Sequence, residues 1–269
     1  MKNNIKEITD QLEQGVKEVF ESDKYKEYLD FMSKFYNYSV NNIILIMAQK
    51  PDASLIAGYK AWQTKFNRQV RKGEKGISIL APCPHKKVVE ENGEEKEIKW
   101  TSFKVAKVFD VSQTDGEVVP TGCTDVLTGD VQNYEQLISN LKSVAPTPIS
   151  FEKIDGSANG FYNTLEKKIV VDDGLSEQQT VKTMIHEIAH SILHDQDSGQ
   201  EKDADRQTME VQAESVAYTV CKMIGIDASD YSFGYVAGWG NGKEVKELTA
   251  SMEVIRKTAK DIVDALQAA

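Results

Sequence analysis

The chain has 269 residues, of which 40% are hydrophobic and 28% charged, with three cysteines and a formal net charge of −10 at pH 7. That composition describes an ordinary soluble protein, and the length suits two medium domains better than one large one. A membrane-spanning class is excluded on expectation, because the longest apolar run, Ile43 to Met47, falls far short of the ~20 residues a bilayer helix needs, and Met1-Lys2-Asn3-Asn4 leads straight into an amphipathic pattern rather than a signal peptide.

Cys83, Cys123 and Cys221 are odd in number and contain no CxxC pair, so the expectation is neither a disulfide framework nor a cysteine zinc knuckle, and a reducing cytoplasm. The charge divides unevenly. Residues 1–125 hold 19 Lys+Arg against 19 Asp+Glu, whereas 126–269 hold 13 against 23 and carry the whole excess. The first half also contains a basic stretch, Tyr59 to Gly76, where Lys60, Lys65, Arg68, Arg71, Lys72 and Lys75 face only Glu74. A local excess of that kind suits phosphates.

In chain order, Ile5, Ile8, Leu12, Val16, Val19 and Phe20 recur at helical steps, as do Tyr28, Phe31, Met32 and Phe35. A third helix over about Val40 to Gln49 ends before Pro51. Arg71 to Gly76 reads as a turn and Ile77 to Pro82 as the strand after it. Lys86 to Lys99 reads as a charged hairpin or loop, and Trp100 to Val111 as a returning strand. Gly116 to Asp130 is the expected interdomain segment, giving domains of 1–125 and 126–269. Beyond it come a helix over Tyr134 to Val144 and strands at Ile149 to Ile154 and Lys168 to Val171, flanking a turn region at Gly160 to Asn163. The next helix has a clear start, with Ser176 as N-cap, Gln179 as its reciprocal partner and Glu177 in the first turn, and should run to about His194. Helices over about Arg206 to Ile224 and Lys243 to Leu266 complete an α+β chain.

Three of the four histidines fall in His186-Glu187-Ile188-Ala189-His190-Ser191-Ile192-Leu193-His194. Four residues apart on a helix, His186 and His190 share one face and can present two imidazoles to one ion, with Glu187 beside them. Zinc (Zn2+) held by three protein ligands keeps one position open and lowers the pKa of a water there from 15.7 to about 7, and Glu187 would take that proton as general base. A third ligand is offered by Glu210 or Glu214, again four apart. The preferred reading makes Glu210 the ligand and Glu214 a carboxylate that orients a ligand histidine, and the opposite assignment stays open. His194 lies too far along the axis to share an ion with His186, so it supports a ligand or is merely exposed. Ala213, Ala217 and Cys221 form a small-residue stripe that lets the two helices approach. Tyr218 and Tyr231 are oxyanion-stabilising candidates by residue type alone, with core packing as the competing reading.

With these residues in place, Thr183 to His194 followed by Glu210-Val211-Gln212-Ala213-Glu214-Ser215-Val216-Ala217-Tyr218 resembles the ImmA/IrrE family of metallopeptidases, over about Gln132 to Leu266. The resemblance implies a minimal gluzincin-like domain, mainly helical with a small sheet, in which Glu210 completes the zinc site. The first half resembles the N-terminal domain of ArdC-type antirestriction proteins through Asn41-Asn42-Ile43-Ile44-Leu45, Ala48 to Pro51, Ala57 to Trp62, Arg71 to Ile77 and Val108 to Thr114. That likeness implies single-stranded DNA binding on a plasmid, conjugative element or phage. Physically, Lys60, Lys65, Arg68, Arg71, Lys72 and Lys75 alternate with Tyr59, Trp62 and Phe66, the mixture of cations and stacking rings that single-strand binders use. The competing reading makes Trp62 and Phe66 one buried helix face. Three functional classes follow: a DNA-binding protein with a metallopeptidase-like site acting on a protein substrate, a non-catalytic DNA-protecting protein with structural zinc, and a repressor-cleaving peptidase without DNA binding.

Overall fold

The computed structural model describes residues 2–20, 24–91, 94–119, 133–197, 200–201 and 204–269. Cys123 and the part of the expected interdomain segment from residue 120 onward lie outside the described residues. The fold is α+β, and the chain divides into two compact units, one of residues 1–16 with 41–119 and the other of 17–40 with 120–269. Residues 17–40 thus group with the second unit, although they precede the boundary read at 125/126.

The chain opens with helix α1 (Lys2–Val19); in the first unit, helix α3 (Val40–Gln49), strand β1 (Ile56–Gly58), helix α4 (Tyr59–Phe66) and strand β2 (Arg68–Val70) lead to a long hairpin of β3 (Ile77–Glu91) and β4 (Glu94–Asp110), then β5 (Thr114–Gly116). The segment read as a charged hairpin or loop is thus a continuous ladder, from Ile77 opposite Val108 to Glu91 opposite Glu94. The sheet order is β1-β4-β3, all antiparallel, and β2 pairs separately with β5. Ile43, Ile44, Leu45 and Ile46 from α3, Trp62 from α4, Ile77, Ile79 and Val108 are buried together with Ile8 and Leu12.

Two side-chain amides finish the free edge of β3. Asn42 donates to Leu80 O (3.0 Å) and accepts from Leu80 N (2.8 Å), while Gln49 does the same with Ser78 O (2.9 Å) and Ser78 N (2.8 Å). Pro82 and Pro84 fall on the same outward parity and have no N–H to offer, so this stretch presents no unmet donor to another strand. Asp110, 1% exposed, closes the hairpin's base by accepting from Ser54 N (2.8 Å), Leu55 N (3.1 Å) and Ser112 N (2.9 Å), and Gln113 reciprocates by accepting from Asp110 N (2.9 Å). These bonds favour the carboxylate, and although burial opposes the charge, the carboxyl is held below its ordinary range.

The second unit contains α2 (Lys24–Phe35), α5 (Tyr134–Val144), β6 (Ile149–Glu152), β7 (Gly160–Asn163), β8 (Lys168–Asp172), α6 (Glu177–Leu193), α7 (Arg206–Met223), a short α8 (Val236–Gly240) and α9 (Val245–Ala268). Its sheet runs β6-β8-β7, parallel on one side of β8 and antiparallel on the other, so Ile169, Val170 and Val171 of the central strand are all buried. Helix α6 packs against β7, β8 and α7, and α7 also packs against α2 and α9. The small stripe behaves as expected, with Ala213, Ala217 and Cys221 completely buried.

Gly160 to Asn163, read as a turn region, is instead the edge strand of this sheet, with Gly160 opposite Val171. Glycine and asparagine are weak strand formers, but backbone pairing with β8 overrides that preference. The turn comes after the strand, where Asn163 Oδ1 accepts from Leu165 N and Glu166 N and Lys167 takes a positive φ of 51°. Gly160 is required by close approach, since a Cβ there would lie 2.6 Å from Thr183 Cγ2 and 2.9 Å from Val170 O.

Candidate metal centre and nucleic-acid surface

Helix α6 begins at Ser176, whose Oγ accepts from Gln179 N (3.3 Å), and α7 begins at Asp205, whose carboxylate accepts from Thr208 N (2.8 Å). Gln179's side chain lines a cavity rather than closing the capping box expected of it. Because Met184, Ile185, Ile188, Ala189 and Leu193 are fully buried, the intervening positions of α6 turn His186 and His190 toward α7 and Glu187 toward β7.

There three ligand atoms converge. His186 Nε2 and His190 Nε2 are 3.1 Å apart, and Glu210 Oε2 lies 3.7 Å from each. Neighbouring ligands about 2.0–2.1 Å from a tetrahedral zinc are separated by roughly 3.3–3.4 Å, so the triangle has the size such an ion requires. Among the described residues these three form a group of His, Cys, Asp and Glu side chains able to hold a metal ion. The two imidazoles facing it at 3.7 Å hold the Glu210 carboxyl far below the ordinary carboxylate range.

Behind His190 the hydrogen bonds fix its orientation. His194 lies 2.9 Å from Gln212 Oε1 through Nε2 and 2.9 Å from His190 Nδ1 through its own Nδ1, and Gln212 Nε2 donates to Ser251 Oγ (3.0 Å). Burial pushes the His194 pKa down to about 4, so the ring is neutral near pH 7. With Gln212 Oε1 accepting, the neutral His194 carries its proton on Nε2 and accepts at Nδ1, which obliges His190 Nδ1 to donate and leaves His190 Nε2 with a lone pair toward Glu210. His194, expected either to support a ligand or to be exposed, is buried and lies against His190.

Glu187 is 7% exposed and accepts from the backbone N–H of Tyr162 on β7. Burial raises its pKa, and the nearby imidazoles oppose that rise. Glu214 lies outside the triangle, lines the same cavity and accepts from Tyr235 OH, with burial raising its pKa. The cavity, about 330 Å³, is bounded by Gly160 of the edge strand, His186 and Glu187 of α6, Glu214 of α7 and Tyr231. Tyr218, by contrast, donates its hydroxyl to Asp30 (2.8 Å) and is 1% exposed, as the packing reading holds. Past the end of α6, buried Asp195 accepts from Tyr162 OH and from Lys167 (2.6 Å), tying β7 and its turn to the end of α6. The sequence reading passed over Lys182, a buried lysine on the cavity wall. Its position one turn before His186 was the available signal.

The nucleic-acid candidates are scattered by function. Trp62 is fully buried and donates its indole N–H to Phe109 O (2.9 Å), so its ring offers no face to a base and the core reading replaces the stacking one. Arg68 is committed to the β2–β5 pair, donating to Thr114 Oγ1 (2.7 Å), Thr114 O (2.8 Å) and Gly116 O (3.2 Å). Arg71 is likewise engaged with Glu74 (2.8 Å) and Ser112 O (2.5 Å), although its side chain is 42% exposed. Lys60, Lys65, Lys72 and Lys75 are exposed. Within the basic stretch Tyr59 is 50% exposed, and further exposed rings occur on the hairpin, where Trp100 is 48% and Phe103 59% exposed and His85 stacks on Trp100 with centroids 5.2 Å apart and 17° between planes. By the register, Trp100 shares a face of the ribbon with Lys104 and the opposing Lys87, whereas Phe103 lies on the other face with Lys99 and the opposing Lys86. Their exposure could not be read from sequence, since strand alternation does not say which face of a two-stranded ribbon is covered.

Residues 1–111 match the N-terminal domain of anti-restriction factor ArdC, and residues 146–221 match the IrrE N-terminal-like domain. An uncharacterized protein of Bacillus anthracis is 27% identical over an alignment covering 99% of this chain and 52% of the relative, so the chain spans about half the length of that curated relative. The metal-free crystal structure of the antirestriction ArdC protein from plasmid R388 superposes with a TM-score of 0.62 at 20% identity, covering 96% of this chain and 98% of the other. Its Mn(II)-bound crystal structure gives 0.54 at 21% identity, covering 95% and 96%. At those identities the likeness establishes a shared fold.

Proposed function

From a chain that joins an ArdC N-terminal domain to an IrrE-like domain, we propose a cytoplasmic protein of a mobile element that binds single-stranded DNA, carries a zinc-dependent peptidase-like site and serves antirestriction. The observation that carries the reading is the convergence of His186, His190 and Glu210 within ligand distance of one another. His186, His190 and Glu210 would hold the ion, whose Lewis acidity supplies a nucleophile at neutral pH and polarises a carbonyl. Glu187, buried between those imidazoles and the edge strand, accepts a proton from the attacking water and returns it to the leaving amine. The His194–Gln212–Ser251 chain keeps His190 in the tautomer that can ligate. Glu214, which accepts from Tyr235 OH, bounds the cavity on the side of α7.

For the first unit, the exposed rings of Trp100 and Phe103, one on each face of the ribbon with lysines on both strands beside them, suit unpaired bases and their phosphates better than the buried Trp62 does. Lys60, Lys65, Lys72 and Lys75 supply further exposed cations, and Arg68 and Arg71 hold the turn that presents them.

Glu187→Gln separates catalysis from occupancy. The variant should retain zinc and DNA while losing the capacity to protect incoming unmodified plasmid in a restricting host, and full protection by Glu187→Gln would favour the non-catalytic, DNA-protecting alternative. For the DNA reading, Trp100→Ala with Phe103→Ala should lower affinity for an unstructured oligonucleotide by roughly tenfold or more at ~50 mM salt, at ~1–3 kcal/mol per stacked base. Unchanged affinity would remove the hairpin from the interface, and no binding by the wild type would favour the repressor-cleaving alternative.

A further inference from the structure

Lys182 on α6 lies one helical turn before His186, about 6 Å along the axis, and is 4% exposed. A buried ammonium requires a counter-charge, and Asp230 supplies it, 2.5 Å away, from the segment between α7 and α8. The two partners are unequal. The side chain of Lys182 is 5% exposed, whereas that of Asp230 is 60% exposed. Asp230 can therefore return to water at little cost, but Lys182 cannot. The Tyr231 ring, whose centroid is 5.5 Å from the ammonium, covers another side of it. Both members of the pair line the cavity that holds His186 and Glu187.

Resting on the peptidase reading above, we propose that Lys182 is the specificity residue of this cavity, recognising a carboxylate on the substrate beside the cleaved bond, with Asp230 as the resident counter-ion that the substrate displaces. One helical turn from the metal ligand is within reach of a group one to two residues from the reacting carbonyl on an extended peptide, at about 3.3 Å per residue. The carboxylate can belong to an acidic side chain or to a free C-terminus, since the ammonium reads only the charge. Segment 227–231 is itself anchored, by Gln178 on Asp227 O (2.9 Å) and by Lys26 on Ser229 O (3.2 Å) and Tyr231 O (3.0 Å), so removing Asp230's carboxylate leaves that wall attached.

The test uses full-length, zinc-loaded protein carrying Glu187→Gln and three peptide hydroxamates of one length: one with glutamate beside the hydroxamate and an amidated C-terminus, one with glutamine and a free C-terminus, and one with glutamine and an amide. At least one carboxylate-bearing ligand should bind roughly tenfold tighter than the neutral one, as a charge-assisted hydrogen bond provides, and the arm that does so identifies the source. Lys182→Met should abolish the difference and Lys182→Arg should keep it. Asp230→Asn, at an exposed position, should strengthen binding of the carboxylate ligand and leave the neutral one unchanged. Equal binding of all three ligands, or a preference that survives Lys182→Met, overturns the inference while leaving the peptidase reading intact. Failure of the zinc-loaded protein, with and without Glu187→Gln, to bind any hydroxamate overturns both. If Lys182→Met does not fold, Asp230→Asn decides alone, and unchanged or weaker carboxylate binding refutes the assignment.

Discussion

Gly160→Ala probes the seam between the edge strand and the metal-site helix. The new methyl would lie 2.6 Å from Thr183 Cγ2, 2.9 Å from Val170 O and 3.5 Å from Glu187 Cγ. Thr183 can yield only by changing rotamer in a buried position, and Val170 O belongs to the central strand, so β7 must move outward. Overpacking of this kind costs about 1–3 kcal/mol, and the lower entropy of the unfolded alanine chain returns about 0.4–1 kcal/mol, leaving a net loss of about 1–2 kcal/mol. Thr183→Ser removes the methyl responsible for the 2.6 Å contact. Alone it should cost about 0.8 kcal/mol for one buried methyl, but combined with Gly160→Ala the pair should cost only about 1 kcal/mol, since the Val170 O contact stays, giving a coupling of about 1–2 kcal/mol. Urea unfolding of the four proteins measures the cycle. Zinc stoichiometry should stay constant across them, because Gly160 touches none of the three ligand side chains. A Gly160→Ala variant within about 0.5 kcal/mol of wild type, or additive single changes, would refute the close packing of β7 on α6.

Asp110→Ala leaves three backbone N–H groups without their charged acceptor and should destabilise the first unit by about 3–5 kcal/mol in denaturant unfolding. Because the folded carboxyl titrates below its unfolded value of about 3.9, this stabilisation is fully present above that pH and fades as pH falls through the depressed folded value, and the mutant's stability curve should lack that acid limb. Asn42→Ala, which strips both bonds from Leu80 at a buried position, should cost about 1–3 kcal/mol and more than Gln49→Ala, whose site water can reach. Equal effects would show that solvent exposure does not govern the edge. His194→Ala should weaken zinc binding by about 10–100-fold in a competition titration without eliminating it, and an unchanged affinity would remove the ring from the support of His190.

Much of this was legible in the residues. The four-residue spacing of His186 and His190 and of Glu210 and Glu214, with small side chains at Ala213 and Ala217, fixes two helical faces that can meet, and Glu210 rather than Glu214 completes the triangle. Ser176, read as an N-cap, starts the helix that carries the histidines. What escaped depends on tertiary context. Gly160 to Asn163 has turn-like composition, and only pairing with β8 makes it a strand. Trp62 and Trp100 are indistinguishable as letters, yet one is enclosed between α4 and β4 and the other lies on an open ribbon. Lys182 is one lysine among many in the chain, and its significance arises from burial beside the metal-site cavity, which periodicity does not encode.

The most direct measurement is zinc content after chelator treatment and re-equilibration, compared among the wild type, His186→Ala, Glu210→Gln and Glu214→Gln. One equivalent of zinc is expected in the wild type and in Glu214→Gln, with affinity lost by roughly several hundredfold or more in His186→Ala and Glu210→Gln, since each removes one of three protein ligands. Wild-type affinity in Glu210→Gln, or no zinc bound by the unaltered chain, would contradict a centre built from His186, His190 and Glu210.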